Sequence, residues 1–144
     1  MNRQLLVLLA TATFGTAASA GGACMPQTTR GDWMYTCEGL LPAPALTPTR
    51  ILGTCSASKS AFWTCSGTVN LGGLIIPQGL TGQASNQPDC TGAISYTQTL
   101  GGSPAGQLDI NFVIFDGGDA ISGLPTNSNG VLSCSLRRIG KGSN

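Results

Sequence analysis

Three carboxylates in the second half of the chain have the residue type and spacing that suit metal binding or acid–base chemistry. Asp109 lies in a segment of alternating hydrophobicity, and Asp116-Gly-Gly-Asp119 follows it as a turn. Oxygen ligands on a glycine loop suit Ca²⁺, and paired carboxylates serve as acid and base in glycoside hydrolysis. Two hypotheses follow: a calcium site at Asp116 and Asp119, and a small hydrolase using Asp109, Asp116 or Asp119. Tight turns also select Asp and Gly for conformational reasons, and this favours a plain turn.

A second candidate site consists of uncharged polar side chains at alternate positions of two segments, which we call the hydroxyl face. Successive strand residues point to opposite sides of a sheet, so residues of one parity share a surface. If the two strands lie near each other, this surface is a hydrogen-bonding area suited to a polysaccharide or a protein partner. An ordinary solvated sheet face gives the same pattern, because Thr favours strands. The face contains Phe62, Thr64, Ser66, Thr68 and Asn70 from one segment, and Ser95, Thr97 and Thr99 from the other.

Several chemistries are excluded by composition. The chain has no histidine, so it cannot use a Ser-His or Cys-His nucleophile or bind zinc or copper through imidazole. It has no Cys-x-x-Cys pair for structural zinc and no phosphate-binding loop. We therefore expect no cofactor, and a function that depends on binding rather than catalysis.

The first twenty residues have the organisation of a secretory signal peptide. Arg3 precedes an apolar run that starts at Leu5, and Ala18-Ser19-Ala20 forms a small-residue cleavage site. The apolar run is too short to span a bilayer as a helix, so no transmembrane segment is predicted. We expect residues 1–20 to be removed, and residues 21–144 to form one domain in the periplasm or the extracellular medium.

The charge of residues 21–144 is balanced, with six basic and six acidic side chains. A neutral chain lacks the basic surface that nucleic acids require, so no nucleic-acid partner is predicted. The local basic cluster, Arg137, Arg138 and Lys141, is predicted to be a solvated chain end.

Alternation of period two, without any sustained helical period, predicts an all-β fold. Gly- and Pro-rich stretches between the alternating segments predict turns. The pattern favours a small antiparallel β-sandwich or barrel of about seven strands. These strands are predicted at 32–38, 49–56, 61–71, 73–77, 92–100, 106–116 and 130–138.

Six cysteines in an exported chain predict up to three disulfides. Cys37, Cys65 and Cys90 are each followed two residues later by glycine on the same parity. We expect these cysteines to point into the core and the glycines to leave room for a neighbouring side chain or a bulge. Cys55 and Cys65 flank a polar turn, so their pairing is preferred. Cys24–Cys37 and Cys90–Cys134 are the remaining sequential pairs.

Short stretches resemble two families over a few residues each. YTCEG and FWTCSG are similar to periplasmic inhibitors of lysozyme, and the cysteine-rich strands are similar to cyanovirin-type lectins. No functional position transfers from either. The sequence thus predicts a secreted or periplasmic, non-enzymatic binding module for a glycan, a cell-surface polymer or a protein. An envelope or fibre subunit, a small carboxylate hydrolase and a hydrolase inhibitor are the open alternatives.

Overall fold

In the part of the chain that the structure describes, eight antiparallel strands, each paired with its neighbour in sequence, close into a barrel when the last strand pairs with the first. The computed structural model describes residues 24–42 and 45–141. The predicted signal peptide, residues 1–20, lies outside this part of the chain. The strands are β1 (Gly31–Pro42), β2 (Leu46–Ala57), β3 (Phe62–Leu71), β4 (Leu74–Asn86), β5 (Thr91–Leu100), β6 (Ser103–Phe115), β7 (Ala120–Pro125) and β8 (Val131–Gly140), with short 3-10 turns at Pro26–Thr29 and Asp116–Gly118.

The all-β prediction is confirmed, and the strand count differs by one. The missed strand is β7, because its sequence lies within a run of Gly, Pro and Asn that predicts a turn. The strand predicted at 73–77 is too short, because the Gly- and Pro-rich stretch that includes Gly79 and Gly82 predicts a turn, whereas β4 continues through it. A Cβ on Gly82 would collide with the Ser95 carbonyl and lie 2.9 Å from Cδ1 of Tyr96. This glycine therefore serves close packing within a strand rather than a turn.

The barrel interior is filled by large side chains. Trp33 and Trp63 are almost completely buried, with ring centroids 5.8 Å apart, and Tyr35 and Tyr96 are also buried. Two cavities inside the barrel measure about 30 Å³ each, which is close to the volume of one water molecule. An eight-stranded barrel is just wide enough for its side chains to fill it. A ligand of the size of a sugar ring must therefore bind outside.

Two facing glycines accommodate the ring of Tyr35. Gly53 on β2 pairs with Gly67 on β3, and a Cβ on Gly53 would lie 2.5 Å from Cε1 of Tyr35. A Cβ on Gly67 would collide with the Tyr35 hydroxyl. That hydroxyl donates a hydrogen bond of 2.9 Å to Oε1 of Gln78. The predicted role of the glycine that follows Cys65 is thus confirmed.

All six cysteines are paired, which confirms three disulfides. Cys55–Cys65 joins facing residues of β2 and β3, as predicted. The pairs Cys24–Cys37 and Cys90–Cys134 were wrong, because the chain forms Cys24–Cys90 and Cys37–Cys134 instead. Barrel closure places β1 against β8, so Cys37 faces Cys134 across the closing seam. The spacing of the cysteines along the sequence does not predict this contact.

One end of the barrel is closed by the segment before β1 and by Arg138. The Trp33 indole donates to the Thr29 carbonyl at 2.8 Å, and the Arg138 guanidinium lies 4.4 Å from the centre of the Trp33 ring. The same guanidinium donates to the carbonyls of Thr28, Arg30 and Gly118. The prediction of a solvated basic end is wrong for Arg138, which shares the inward parity of Cys134 and Leu136.

Burial of the two tyrosines predicts loss of stability at alkaline pH. Burial raises the pKa of Tyr35 to about 12, and burial followed by the neighbouring Tyr35 raises the pKa of Tyr96. In the unfolded chain both ionise near pH 10, so the stabilising effect is complete below about pH 10 and decreases above it. The free energy of unfolding is expected to fall by at most about 1.4 kcal/mol per pH unit for each tyrosine. Urea unfolding between about pH 8 and 11.5 measures this slope.

Phenylalanine variants provide the control for this prediction. Tyr35→Phe and Tyr96→Phe should each flatten the alkaline slope, whatever their effect at neutral pH. Because the chain has two tyrosines, tyrosinate absorbance of the folded protein reports these groups alone. A folded protein whose tyrosines titrate near pH 10 would contradict the assignment.

Candidate functional site

The hydroxyl face lies on the outer wall of the barrel, but its two strands are not neighbours. Strand β4 lies between β3 and β5 and contributes Thr81 and Gln83 to the gap. The eight predicted side chains are exposed, apart from the half-buried Thr99. The structure therefore places the predicted residues on one continuous surface. The strand between them, β4, was predicted only over 73–77, which stops short of Thr81 and Gln83.

The strand register arranges these side chains in rows across the barrel. One row contains Ser56, Thr64, Thr81 and Thr97 on four successive strands, and Gln107 follows on β6. The next row on one side contains Phe62, Gln83, Ser95 and Asp109. Neighbouring strands lie about 4.8 Å apart, so each row is a closely spaced set of donors and acceptors. Apart from Asp109, these rows carry no charge.

A groove of about 640 Å³ adjoins the hydroxyl face on strands β5, β6 and β7, and we call it the β5–β7 groove. Its lining is uncharged and mixes hydroxyl, amide and aliphatic groups. The lining residues are Ser85, Gln87, Thr91, Gly92, Ala93, Asn111, Phe112, Val113, Ser122, Gly123, Leu124 and Thr126.

Small residues on neighbouring strands produce the groove. Asn111 faces Ala93 on one side and Leu124 on the other, in the row that follows Ser95–Asp109. Gly92 lies over the Phe112 ring, where an added Cβ would come within 2.6 Å of Cε2. Gly92 thus makes room for the Phe112 ring inside the barrel, whereas on the outer wall the methyl group of Ala93 leaves space between the longer side chains of Val113 and Leu124.

Sequence reasoning missed this groove. The signals present were two short runs of small residues, Thr91-Gly92-Ala93 and Ser122-Gly123. They become one surface only when β7 pairs with β6, and β7 was not predicted. Because β7 was not predicted, the sequence analysis lacked one of the three strands that form the groove.

The three carboxylates proposed for calcium binding or hydrolysis each have other partners. Asp109 accepts hydrogen bonds from Ser95 at 2.6 Å, from Gln107 at 2.9 Å and from Asn127 at 3.2 Å. These bonds attach the β7–β8 loop to β6.

Asp116 and Asp119 bind separate arginines. Asp116 pairs with Arg137 at 2.8 Å, and Asp119 pairs with Arg138 at 2.9 Å. Within residues 24–42 and 45–141, no three Asp, Glu or Cys side chains are grouped as metal ligands. The calcium and hydrolase hypotheses remain untested predictions, now with arginines bound to both turn carboxylates.

The fold and surface define a class: an up-and-down antiparallel β-barrel with a solid core, three disulfides and an uncharged outer groove. Comparison with protein-family models, curated proteins and solved structures gives no match to this chain. The three disulfides indicate an oxidising, exported environment. No helix among the described residues is long and apolar enough to cross a membrane.

Proposed function

We propose that this protein is an exported, non-enzymatic binding module that holds an uncharged glycan in the β5–β7 groove. The observation that carries the proposal is the lining of the groove, which combines amide and hydroxyl groups with aliphatic walls and has no charged side chain. Sugar hydroxyls both donate and accept hydrogen bonds, as do the Asn111 amide and the Ser122 hydroxyl. The faces of sugar rings are apolar, and Val113 and Leu124 supply apolar contacts.

The position of the groove supports a polymer rather than a single sugar. The groove is open along the wall, and its Ala93–Asn111 row is adjacent to the Ser95–Asp109 row at the edge of the hydroxyl face. A chain bound in the groove therefore continues over Thr97 and Thr81. The filled barrel interior excludes the alternative of a ligand enclosed inside the barrel.

Filling the groove tests the proposal. Ala93→Trp places an indole between Ser85 and Asn111, where the β4–β5–β6 register leaves only a methyl group. We expect the Kd for a neutral polysaccharide to increase by about tenfold or more, equivalent to about 1.4 kcal/mol. Isothermal titration against neutral and anionic polysaccharides measures the change.

Leu52→Trp is the matched control. Leu52 is also exposed, but it lies on β2, which is opposite β6 in the eight-stranded order. It should change the Kd by less than about twofold, because its site is outside the groove. Equal losses for the two tryptophan variants, or tighter binding of anionic than of neutral polymers, would contradict a neutral glycan in the groove. Capture of a secreted hydrolase or another protein by the wild-type chain alone would support a protein partner instead.

A further inference from the structure

Gln78 is a polar side chain of the barrel interior with incomplete hydrogen bonding. Among the residues that the structure describes, three polar side chains are buried: Thr29, Thr49 and Gln78. The two threonine hydroxyls donate to the backbone carbonyls of Pro26 and Thr47, at 3.1 and 3.0 Å. Gln78 is 5% exposed, and its Nε2 has no hydrogen-bond partner in the protein. A buried amide left unpaired is unfavourable, so Gln78 indicates a bound group that completes its hydrogen bonds.

Gln78 has an unpartnered polar atom in either orientation of its amide group. The Tyr35 hydroxyl donates to Oε1 of Gln78 at 2.9 Å, which leaves the two Nε2 hydrogens without an acceptor. In the reversed orientation the hydroxyl would accept from Nε2, and Oε1 would be the atom without a partner. A further hydrogen-bonding group is therefore needed in both cases.

Gln78, Tyr35 and Tyr96 border the same internal cavity, which we call the Gln78 cavity. Its volume is about 30 Å³, whereas one water molecule needs about 10–15 Å³. Tyr96 is also buried, and its hydroxyl lies 3.9 Å from Sγ of Cys65. That sulfur belongs to a disulfide, so it has no hydrogen to donate and accepts only weakly. The Tyr96 hydroxyl thus also lacks a strong partner.

We infer that the Gln78 cavity binds one water molecule, held by the Gln78 amide and the hydroxyls of Tyr35 and Tyr96. A buried water typically makes about two to four hydrogen bonds, and three polar side chains border this cavity. Water can accept from the amide and from Tyr96, and it can donate to the Tyr35 oxygen. None of the described residues that line the cavity is charged, so an ion would have no counter-charge there.

The water connects opposite walls of the barrel. Tyr35 lies on β1, Gln78 on β4 and Tyr96 on β5, and β5 is opposite β1 in the closed order of eight strands. Backbone pairing joins each strand only to its two neighbours, so the water adds a polar link across the interior. Through Gln78 it also orients the Tyr35 side chain, whose ring packs against Gly53 and Gly67.

Oxygen-17 magnetic relaxation dispersion tests the inference, because it counts long-lived internal waters and is not affected by exchanging hydroxyl protons. The double variant Gln78→Met, Tyr35→Phe removes two of the three polar groups and approximately keeps their shape and volume. We expect the count to fall by about one water, because the Tyr96 hydroxyl alone is fewer than the roughly two partners that a buried water needs.

The double variant leaves the second internal cavity unchanged. Trp63 and Tyr96 border that cavity, whereas Gln78 and Tyr35 do not. Nε1 of Trp63 also has no partner in the protein. A water bound to Trp63 would be counted in both proteins, so it cancels in the difference.

Thr49→Val is the matched control. Thr49 is 2% exposed and therefore as deeply buried as Gln78, but its hydroxyl already donates to the Thr47 carbonyl and it does not border the Gln78 cavity. This variant should have the same number of internal waters as the wild type. Circular dichroism confirms that the variants are folded. A high-resolution crystal structure of the wild type, with a water oxygen within hydrogen-bond distance of Gln78, decides the matter if the double variant does not fold.

Three outcomes would overturn the inference. The first is an equal number of internal waters in the wild type and the double variant. The second is an equal loss in Thr49→Val, which would mean that the count does not report the Gln78 cavity. The third is a wild-type crystal structure in which the Gln78 amide bonds only to protein groups. The inference does not depend on glycan binding, and none of these results affects the polysaccharide titration.

Discussion

Replacement of Arg138 by methionine is expected to lower the free energy of unfolding by about 3 kcal/mol or more. The Arg138 side chain is 13% exposed and donates to three backbone carbonyls from two separate segments, around Thr28 and Gly118. Methionine keeps much of the aliphatic packing but removes every donor. It leaves carbonyl groups facing a site from which water is largely excluded, and each such group costs about 1–3 kcal/mol.

The contact with Trp33 adds to this effect. The guanidinium lies 4.4 Å from the centre of the indole ring, which is within the range of a cation–π interaction worth about 0.5–2 kcal/mol. Asp119 also loses its partner, but that carboxylate is mostly exposed and contributes little. Most of the loss should therefore come from the backbone carbonyls and the indole.

Arg137→Met is the matched control, one residue away. Arg137 is 61% exposed and pairs with the exposed Asp116, so its removal should cost less than about 1 kcal/mol. Urea denaturation at neutral pH measures the free energy of unfolding of both variants. The slope of this free energy against urea concentration should be the same for the two. Similar losses for Arg137→Met and Arg138→Met would mean that the Arg138 contacts do not close this end of the barrel.

The two arginines also show what sequence can predict about this fold. Cys134, Leu136 and Arg138 share one parity, and the alternation alone assigns Arg138 to the interior. The charge pattern gave the opposite prediction, because short basic runs at chain ends are usually solvated. Period-two alternation was the more reliable signal here, since a strand in a closed barrel has one face in the core throughout its length.

Long-range pairing is the part of the fold that the sequence did not provide. Cys55 and Cys65 are close in sequence around one hairpin, so local turn signals were sufficient to pair them. Cys37 and Cys134 meet only because the eighth strand returns to the first. The closure of the barrel depends on the number of strands. One of them, β7, was not predicted, because its composition is typical of a turn.

The candidate site also has one part that the sequence predicted and one part that it did not. Outward parity correctly predicted that residues such as Thr64 and Thr97 are exposed, because it depends on local alternation alone. The β5–β7 groove depends on three strands in register and on small residues such as Ala93 opposite Asn111. One segment of sequence shows neither the strand register nor which small residues lie opposite each other. The groove could therefore be found only from the structure.

Removal of the Cys37–Cys134 disulfide is expected to be the other large effect, at about 4 kcal/mol for the double Ala variant. The two cysteines are 97 residues apart, so the bond removes much of the conformational freedom of the unfolded chain. With the Cys24–Cys90 disulfide in place, Cys37 and Cys134 are also connected by a shorter covalent path, which runs through that bond. The loop closed along this path is still several times longer than the Cys55–Cys65 loop. The bond also ties β1 to β8 across the seam where the barrel closes.

The double Ala variant of Cys55 and Cys65 is the control, because it removes the same number of buried sulfur atoms from a hairpin. Its ten-residue separation predicts a smaller loss, about 3 kcal/mol or less. Both pairs are buried, with Cα–Cα distances of 4.0 Å, so cavity effects should be similar and the difference should report loop length. Urea midpoints of the two variants measure it. A larger loss for the Cys55–Cys65 variant would mean that the barrel closes independently of its seam disulfide and that stability depends on the β2–β3 hairpin.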